Sequence, residues 1–395
     1  MVSDQLDTLV VSSQSGRFTR RAGLLGAVAA MLLAGTCAWA GEAEIRVGVS
    51  GPLTGPAAQY GAQWKRGFDL ALTRINGSDG GVNGRKLAYV FEDSQNDPRQ
   101  AVAIAQKFVA DPTIVAELGD FSSTTSMAAS PIYQRGRLVQ MGFTNSHPKF
   151  TSGGDYMWSP GLSQAEEQPQ LADLAISRLG FKKPAVLHLN TDWGHASKEL
   201  FTAAAKQRGA EVVAAEGYLP DERDFRSTLT RVKQAGPDSL VLESYYSDAA
   251  LIVRQAREAG ITLPIAAVGS IYSPKFIELG GPAVEGVYTE SEFFPDDPRP
   301  EVQEFVKAYQ AAYHDAPDAF GAFAYDALIL TAAVLRQYGA DRQSFHDGLS
   351  KVRDVPSVIF GKIAFDPATR RVSGAKVTNI VVRGGKWVLW DGKPA

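Results

Sequence analysis

Between Leu118 and Met127 the chain reads Gly119-Asp120-Phe121-Ser122-Ser123-Thr124-Thr125-Ser126, with five hydroxyl side chains in a row after an aliphatic stretch. Such a run can simply cap a helix, a contact worth about 1 kcal/mol. It can also hold a carboxylate without any Lys or Arg, because a helix start carries unpaired N–H groups and a partial positive charge. Its place at the carboxyl end of a strand, where open α/β sheets bind ligands, adds weight to the second use. Phe143-Thr144-Asn145 offers a further hydroxyl from the next strand end, unless it is an ordinary loop. Asn190-Thr191-Asp192-Trp193-Gly194 puts Trp193 at another strand-to-helix junction, where core packing explains it less readily. Glu243-Ser244-Tyr245-Tyr246 brings an acid and one or two aromatics to a comparable edge, Tyr246 being the one better read as core.

These residues suit binding more than bond breaking. The sequence has no phosphate-cradling G-x-x-x-x-G-K-[ST], no H-E-x-x-H and no G-x-S-x-G, so no enzyme is expected. A hydrolase built around Ser123 and Asp192 is the weak rival. His147, His188, His195, His314 and His346 are scattered rather than set at metal-ligand spacing, and neither a metal nor a cofactor is expected. A formal charge of −3 with no basic patch gives no reason to expect a nucleic-acid partner.

The elements that must position these residues alternate. Strands are expected at 45–50, 87–91, 115–118 and 138–142, with helices between them. Trp64, Phe68, Ala71, Leu72 and Ile75 form one apolar helix face. Past Trp158-Ser159-Pro160-Gly161 the alternation restarts, with strands at 185–189, 212–218, 239–243 and 265–268. The segment 286–294 can cross back, because the helices at 301–313, 320–338 and 342–352 have no further parallel strands to cover. Strands 376–382 and 387–390, joined through Arg383-Gly384-Gly385-Lys386, read as a hairpin. This is an α/β pattern of two Rossmann-like lobes with parallel-rich sheets.

The N-terminus has the parts of a secretory signal: Arg17, Arg20 and Arg21, an apolar run from Ala22 to Ala34, and Cys37-Ala38-Trp39-Ala40 before Gly41. The run is too short for the ~20 residues of a spanning helix, and cleavage is expected after Ala40. Thr19-Arg20-Arg21 also resembles a twin-arginine signal, which leaves the export route open. A lipid anchor on Cys37 is a minority reading, since Thr36 precedes it. Cys37 is the single cysteine, so the chain beyond residue 40 can form no disulfide. Its length exceeds what one hydrophobic core usually serves.

The order of Gly51-Pro52-Leu53-Thr54-Gly55, Gln59-Tyr60-Gly61, Gly80-Gly81-Val82-Asn83-Gly84, Phe121 to Ser126, Asp192-Trp193-Gly194 and Tyr325-Asp326-Ala327 resembles the leucine/isoleucine/valine-type periplasmic binding proteins. The resemblance covers essentially the whole chain after residue 40. It implies the type I periplasmic binding fold, with three hinge crossings near 159–161, 289–290 and 365–366. Lobe one would then be 41–160 plus 290–365, and lobe two 161–289 plus 366–395. It further implies a periplasmic, monomeric solute-binding protein of an ABC importer, with a small-molecule ligand and a permease and its ATPase as partners.

By that resemblance Ser123 and Thr144 hold the ligand carboxylate, Tyr60, Phe121 and Phe143 line the lobe-one side, and Trp193 and Tyr245 are aromatics of the other side. The family's amino-acid binders bring an acid to the ligand ammonium from the loop at Gly269-Ser270-Ile271, where this chain has Ser270. Glu243 is then the candidate replacement, or Trp193 receives the ammonium by a cation–π contact of about 0.5–2 kcal/mol. The implied solute is an amino acid, branched-chain or other, or an amide. The alternatives are a carboxylate without an amino group, aliphatic or aromatic, or a ligand-sensing subunit of a membrane receptor.

Overall fold

A computed structural model describes residues 44–372 and 374–393. The signal, its cleavage point and Cys37 lie outside the described residues. Ile45-Arg46-Val47-Gly48-Val49-Ser50-Gly51 forms β1 (Ile45–Gly51), and the amphipathic stretch after it forms α1 (Ala58–Asn76). Tyr60, Trp64, Phe68, Ala71 and Ile75 are the buried face of α1. Then follow β2 (Leu87–Asp93), α2 (Pro98–Ala110), β3 (Ile114–Leu118) and α3 (Ser123–Gly136). Asp97 caps α2 by accepting the Arg99 N–H, with Pro98 at the first helical position, where its missing N–H costs nothing. The last members of this half are β4 (Gln140–Met141), α4 (Lys149–Ser152) and β5 (Met157–Trp158). The strands run parallel in the order β2-β1-β3-β4-β5. The expected strand 138–142 shrinks to two residues, because the chain turns back at once: Phe143 N–H donates to Met141 O and Asn145 N–H to Gly142 O.

The second sheet begins after α5 (Gln164–Ala172), which a π-helical turn, Asp173–Arg178, continues. Ser163 and Glu166 form a capping box at its start. The sheet gathers β6 (Pro184–Leu189), β7 (Ala214–Tyr218), β8 (Ser239–Glu243), β9 (Ile265–Ala267) and β10 (Val287–Ser291). Between them lie α6 (Asp192–Gln207), α7 (Arg226–Gln234), α8 (Tyr246–Glu258) and α9 (Pro274–Gly280). All of β6, β8, β9 and β10 is buried, as expected of parallel strands covered on both faces.

Three helices follow β10: α10 (Pro300–Tyr313), α11 (Ala319–Tyr338) and α12 (Arg342–Leu349). All three return to the first half. Both α10 and α11 pack on α1, and α12 lies against β3. The approach of α1 to α11 is so close that a Cβ on Gly67 would run into the Gly321 carbonyl oxygen. The small hairpin of β11 (Val355–Ser357) and β12 (Gly361–Ile363) precedes the return to the second sheet. There β13 (Thr378–Arg383) pairs antiparallel with β10, and β14 (Lys386–Leu389) with β13, so the C-terminal hairpin extends the sheet at its edge.

Two of the connecting strands of chain meet at Arg371, which is 5% exposed. Its guanidinium donates to the carbonyls of Asn145, His147 and Gly161 and to Ser159 Oγ. Burial holds its pKa down to about 10. It thereby fixes the loop after β4 against the connection that leads to α5.

Candidate solute-binding cleft

The carboxyl ends of strands from both sheets converge on one cleft that is partly open to solvent. A concave site at strand ends, lined by aromatic rings and a few polar groups, suits a small organic molecule. On the first-sheet side, β3 ends in the cis Gly119-Asp120 peptide and the cap of α3. Ser122 is the N-cap, its Oγ accepting the Thr125 N–H and donating to Thr125 Oγ1. Ser123 is the first helical residue. Its Oγ accepts the His147 N–H at 3.1 Å, which leaves its own hydrogen free to donate into the cleft. Among the described residues the N–H groups of Ser123 and Thr124 have no partner. Hydroxyl and helix start thus offer an anion several donors at one point.

Thr144 also lines the cleft, but its hydroxyl donates to the Phe121 carbonyl at 3.0 Å. To donate to a ligand it would have to rotate out of that bond. Ser146 is better placed as a relay across the cleft, since its Oγ accepts from Trp193 Nε1 at 3.1 Å.

The opposite side is aromatic. Trp193 sits in the first turn of α6, whose N-cap is Thr191, and its N–H donates to Thr124 Oγ1 at 3.2 Å. The start of α6 therefore abuts the start of α3, and two helix N-termini share one neighbourhood. Tyr245, the N-cap of α8, lies 5.1 Å from the Trp193 ring and 5.1 Å from the Phe121 ring, edge-on to the latter. Phe143 packs on Trp64 at 4.3 Å and completes the first-sheet wall.

Of the expected site residues, Phe121, Ser123, Phe143, Thr144, Trp193, Tyr245 and Ser270 line this cleft. Tyr60 and Glu243 lie outside the lining. Tyr60 stacks behind Phe121 at 4.0 Å and bridges the sides, donating to Ser270 O at 2.7 Å and accepting the Tyr246 N–H at 3.1 Å. Tyr246 adds a bridge of its own from its hydroxyl to Pro56 O at 2.7 Å. With the Trp193 contacts, these bonds hold the two sides together in a closed arrangement. Glu243 is fully buried, accepts from Gln168 Nε2 at 3.0 Å, and is raised by burial to about 8.

Two carboxyls that line the cleft escape sequence reasoning. Glu167, on α5, shows only as the second acid of a helix start, and Glu292 only as the residue after a strand. Burial raises Glu292 to about 7, and burial with neighbouring Glu292 and Glu243 raises Glu167 well above the usual range. Ser146, Leu162, Phe320 and Phe323 are further lining residues without a local signal.

A cleft between two parallel-rich α/β halves, floored by strand ends and bridged by aromatic and hydroxyl contacts, defines a clamshell solute-binding protein. The chain matches the periplasmic binding protein family over residues 44–381. It is 29% identical to Leu/Ile/Val-binding protein homolog 1 of Brucella suis, over 86% of this chain and 90% of that protein. A solved putative branched-chain amino acid ABC transporter protein from Rhodospirillum rubrum is 37% identical, covering 88% of this chain and all of that one, with a TM-score of 0.64. A Rhodopseudomonas palustris solute-binding protein in complex with benzoate shares the fold, with a TM-score of 0.80 at 21% identity over 89% of this chain and 97% of its own. The chain belongs to the periplasmic binding protein family and is a solute-binding protein of ABC transport, with the type I fold, a small-molecule ligand and a permease partner.

Proposed function

We propose that this protein captures a small carboxylate-bearing solute in the periplasm and delivers it to a membrane permease driven by its ATPase. The signal is cleaved after Ala40, and the mature protein acts as a monomer. Lobe one is 41–160 plus 290–365 and lobe two 161–289 plus 366–395, with hinges near 159–161, 289–290 and 365–366. The ligand carboxylate docks first at the start of α3, on Ser123 Oγ and the Ser123 and Thr124 N–H groups, with Thr144 as a further hydroxyl. Trp193 and Tyr245 then close over it, and closure is a population shift driven by contacts made only in the closed form.

The observation that carries this reading is the pair of unpartnered N–H groups and the free Ser123 hydroxyl at a helix start inside the cleft. Mass spectrometry of ligand released from denatured protein, followed by calorimetry of that ligand on Ser123→Ala and Trp193→Ala, tests it. Unchanged affinity in both variants would remove the site assignment. An aromatic carboxylate is the second reading, favoured by the rings of Phe121, Trp193, Tyr245 and Phe320 around the cleft and by the benzoate-bound protein of the same fold.

A further inference from the structure

The loop 143–147 supplies much of the first-sheet wall. Thr144 and Ser146 line the cleft from it, and the His147 N–H donates to Ser123 Oγ at 3.1 Å. The carbonyls on either side of Ser146 are both gripped by one guanidinium. Arg371 Nη1 donates to Asn145 O at 3.0 Å, and its Nη2 to His147 O at 2.8 Å. Ser159 Oγ reinforces the first contact, accepting from Nη1 at 3.1 Å and donating to Asn145 O at 3.2 Å. The backbone around Arg371 is itself anchored, since Ser159 N–H donates to Arg370 O at 3.0 Å and Val372 N–H to Ser159 O at 3.3 Å. Arg371 lies outside the cleft lining.

We propose that Arg371 is a positioning residue for solute capture: its two-pronged grip on Asn145 O and His147 O aims the His147 N–H at Ser123 Oγ, which turns the Ser123 hydrogen into the cleft. This rests on the carboxylate reading above and adds the residue that orients its principal hydroxyl. A serine hydroxyl has one hydrogen and rotates to suit its neighbours. With a fixed N–H donating to one lone pair, the hydrogen is kept off that side and is set for an arriving carboxylate before it docks. The same grip brackets Ser146, whose Oγ accepts from Trp193 Nε1 at 3.1 Å, so it also sets an acceptor for a bond across the cleft.

Only arginine suits this task. Its planar fork spans two carbonyls in a fixed direction, whereas a lysine ammonium is a single point of charge on a flexible stem. Stability alone is a poor reason to bury a guanidinium, because apolar packing of similar volume is often as stabilising. Here the group is 5% exposed, burial lowers its pKa to about 10, and its bonds go to neutral carbonyls and a hydroxyl.

The test is a double-mutant cycle read by calorimetry. Leucine, phenylalanine, 4-methylpentanoate and benzoate are titrated into the unsubstituted protein, and whichever binds tightest is the probe for Arg371→Lys, Ser123→Ala and the double variant, each shown folded by circular dichroism. Arg371→Lys keeps the charge but loses the fork, and about 20-fold weaker binding is expected. The same change in the Ser123→Ala background should cost at most about fivefold, the part that runs through Ser146. A merely structural Arg371 would cost the same in both backgrounds. Losses within twofold of each other, or an Arg371→Lys affinity equal to that of the unsubstituted protein, overturn the inference and leave the carboxylate reading standing. Where Arg371→Lys does not fold, Ser159→Ala takes its place, with about a threefold loss expected when Ser123 is present and none without it; equal losses again overturn the inference. Unchanged affinity in Ser123→Ala alone removes Ser123 from the site and this inference with it, and no binding by any of the four probes overturns both readings.

Discussion

On the first-sheet side of the cleft, Ser123, Thr144 and Ser146 present small hydroxyls beside the unpaired N–H groups of a helix start. On the second-sheet side stand Trp193 and Tyr245, with Glu167 and Glu292 at the junction between sheets. The first wall donates and is pre-formed: Ser122, Thr125, Ser126 and the cis Gly119-Asp120 turn are tied to one another by hydrogen bonds whatever occupies the cleft. The second wall is mainly aromatic, and Trp193 and Tyr246 hydrogen-bond from that side to the first. On the proposed reading the first wall sets which group of the ligand docks, and the second sets how long it stays.

Removing the shield should have the largest effect. Trp193, 5% exposed, fills the closed cleft and makes two hydrogen bonds across it. Trp193→Ala is expected to weaken binding on the order of 100-fold, about 3 kcal/mol, seen by calorimetry mainly as faster release.

The acid side predicts a pH dependence of the ligand-free fold. Folding raises Glu292 to about 7 and Glu243 to about 8 from an ordinary 4.5, by burial. Below 4.5 both are protonated whether folded or unfolded, and the full contribution is present. As pH rises the unfolded chain loses these protons first, so stability falls until the folded-state groups ionise near 7 and 8. Burial lowers His147 and His188 from 6.5, and they act in the opposite sense below that pH, so the clean window is pH 6.5 to 8, above which the profile levels off. Melting temperature should drop on the order of 5 °C across it, and Glu243→Gln should flatten the drop. A level profile in the unsubstituted protein would contradict the burial of these acids.

On the proposed reading Ser123→Ala deletes a charge-assisted bond to the ligand, and a loss of about tenfold in affinity is expected. The smallest effect should come from behind the wall. Tyr60→Phe removes the bond to Ser270 O and the acceptor for Tyr246 N–H while keeping the stack on Phe121. About fivefold weaker binding is expected, measured as a faster off-rate with little change in on-rate.

How much of this was legible in the sequence follows the same division. The donor wall is local: Phe121 to Ser126 is one stretch, and a hydroxyl run between a strand and a helix announces both a cap and a donor set. Trp193 and Tyr245 were legible for the same reason, each at a single strand-to-helix junction. The acid wall is assembled from α5, β8 and the end of β10, so Glu167 looks like a helix-start acid and Glu292 like a loop residue. Glu243 stands at a strand end in the sequence, yet β8 turns its carboxyl inward to Gln168. In the fold, the positions of most strands followed from alternation and β-branched runs, whereas β5, two residues long, and the β11-β12 hairpin are too short to show a period. The extension of α5 by a π-helical turn has no signal in the pattern either.

The central claim is that a ligand carboxylate is held at the start of α3. Calorimetry comparing the ligand recovered from purified protein with its own methyl ester tests this most directly. The account predicts a carboxylate in the recovered ligand and an ester that binds at least about 100-fold more weakly, because it cannot satisfy the Ser123 hydroxyl and the two N–H groups as an anion. A recovered ligand without a carboxylate, or an ester that binds as tightly as the acid, would contradict it.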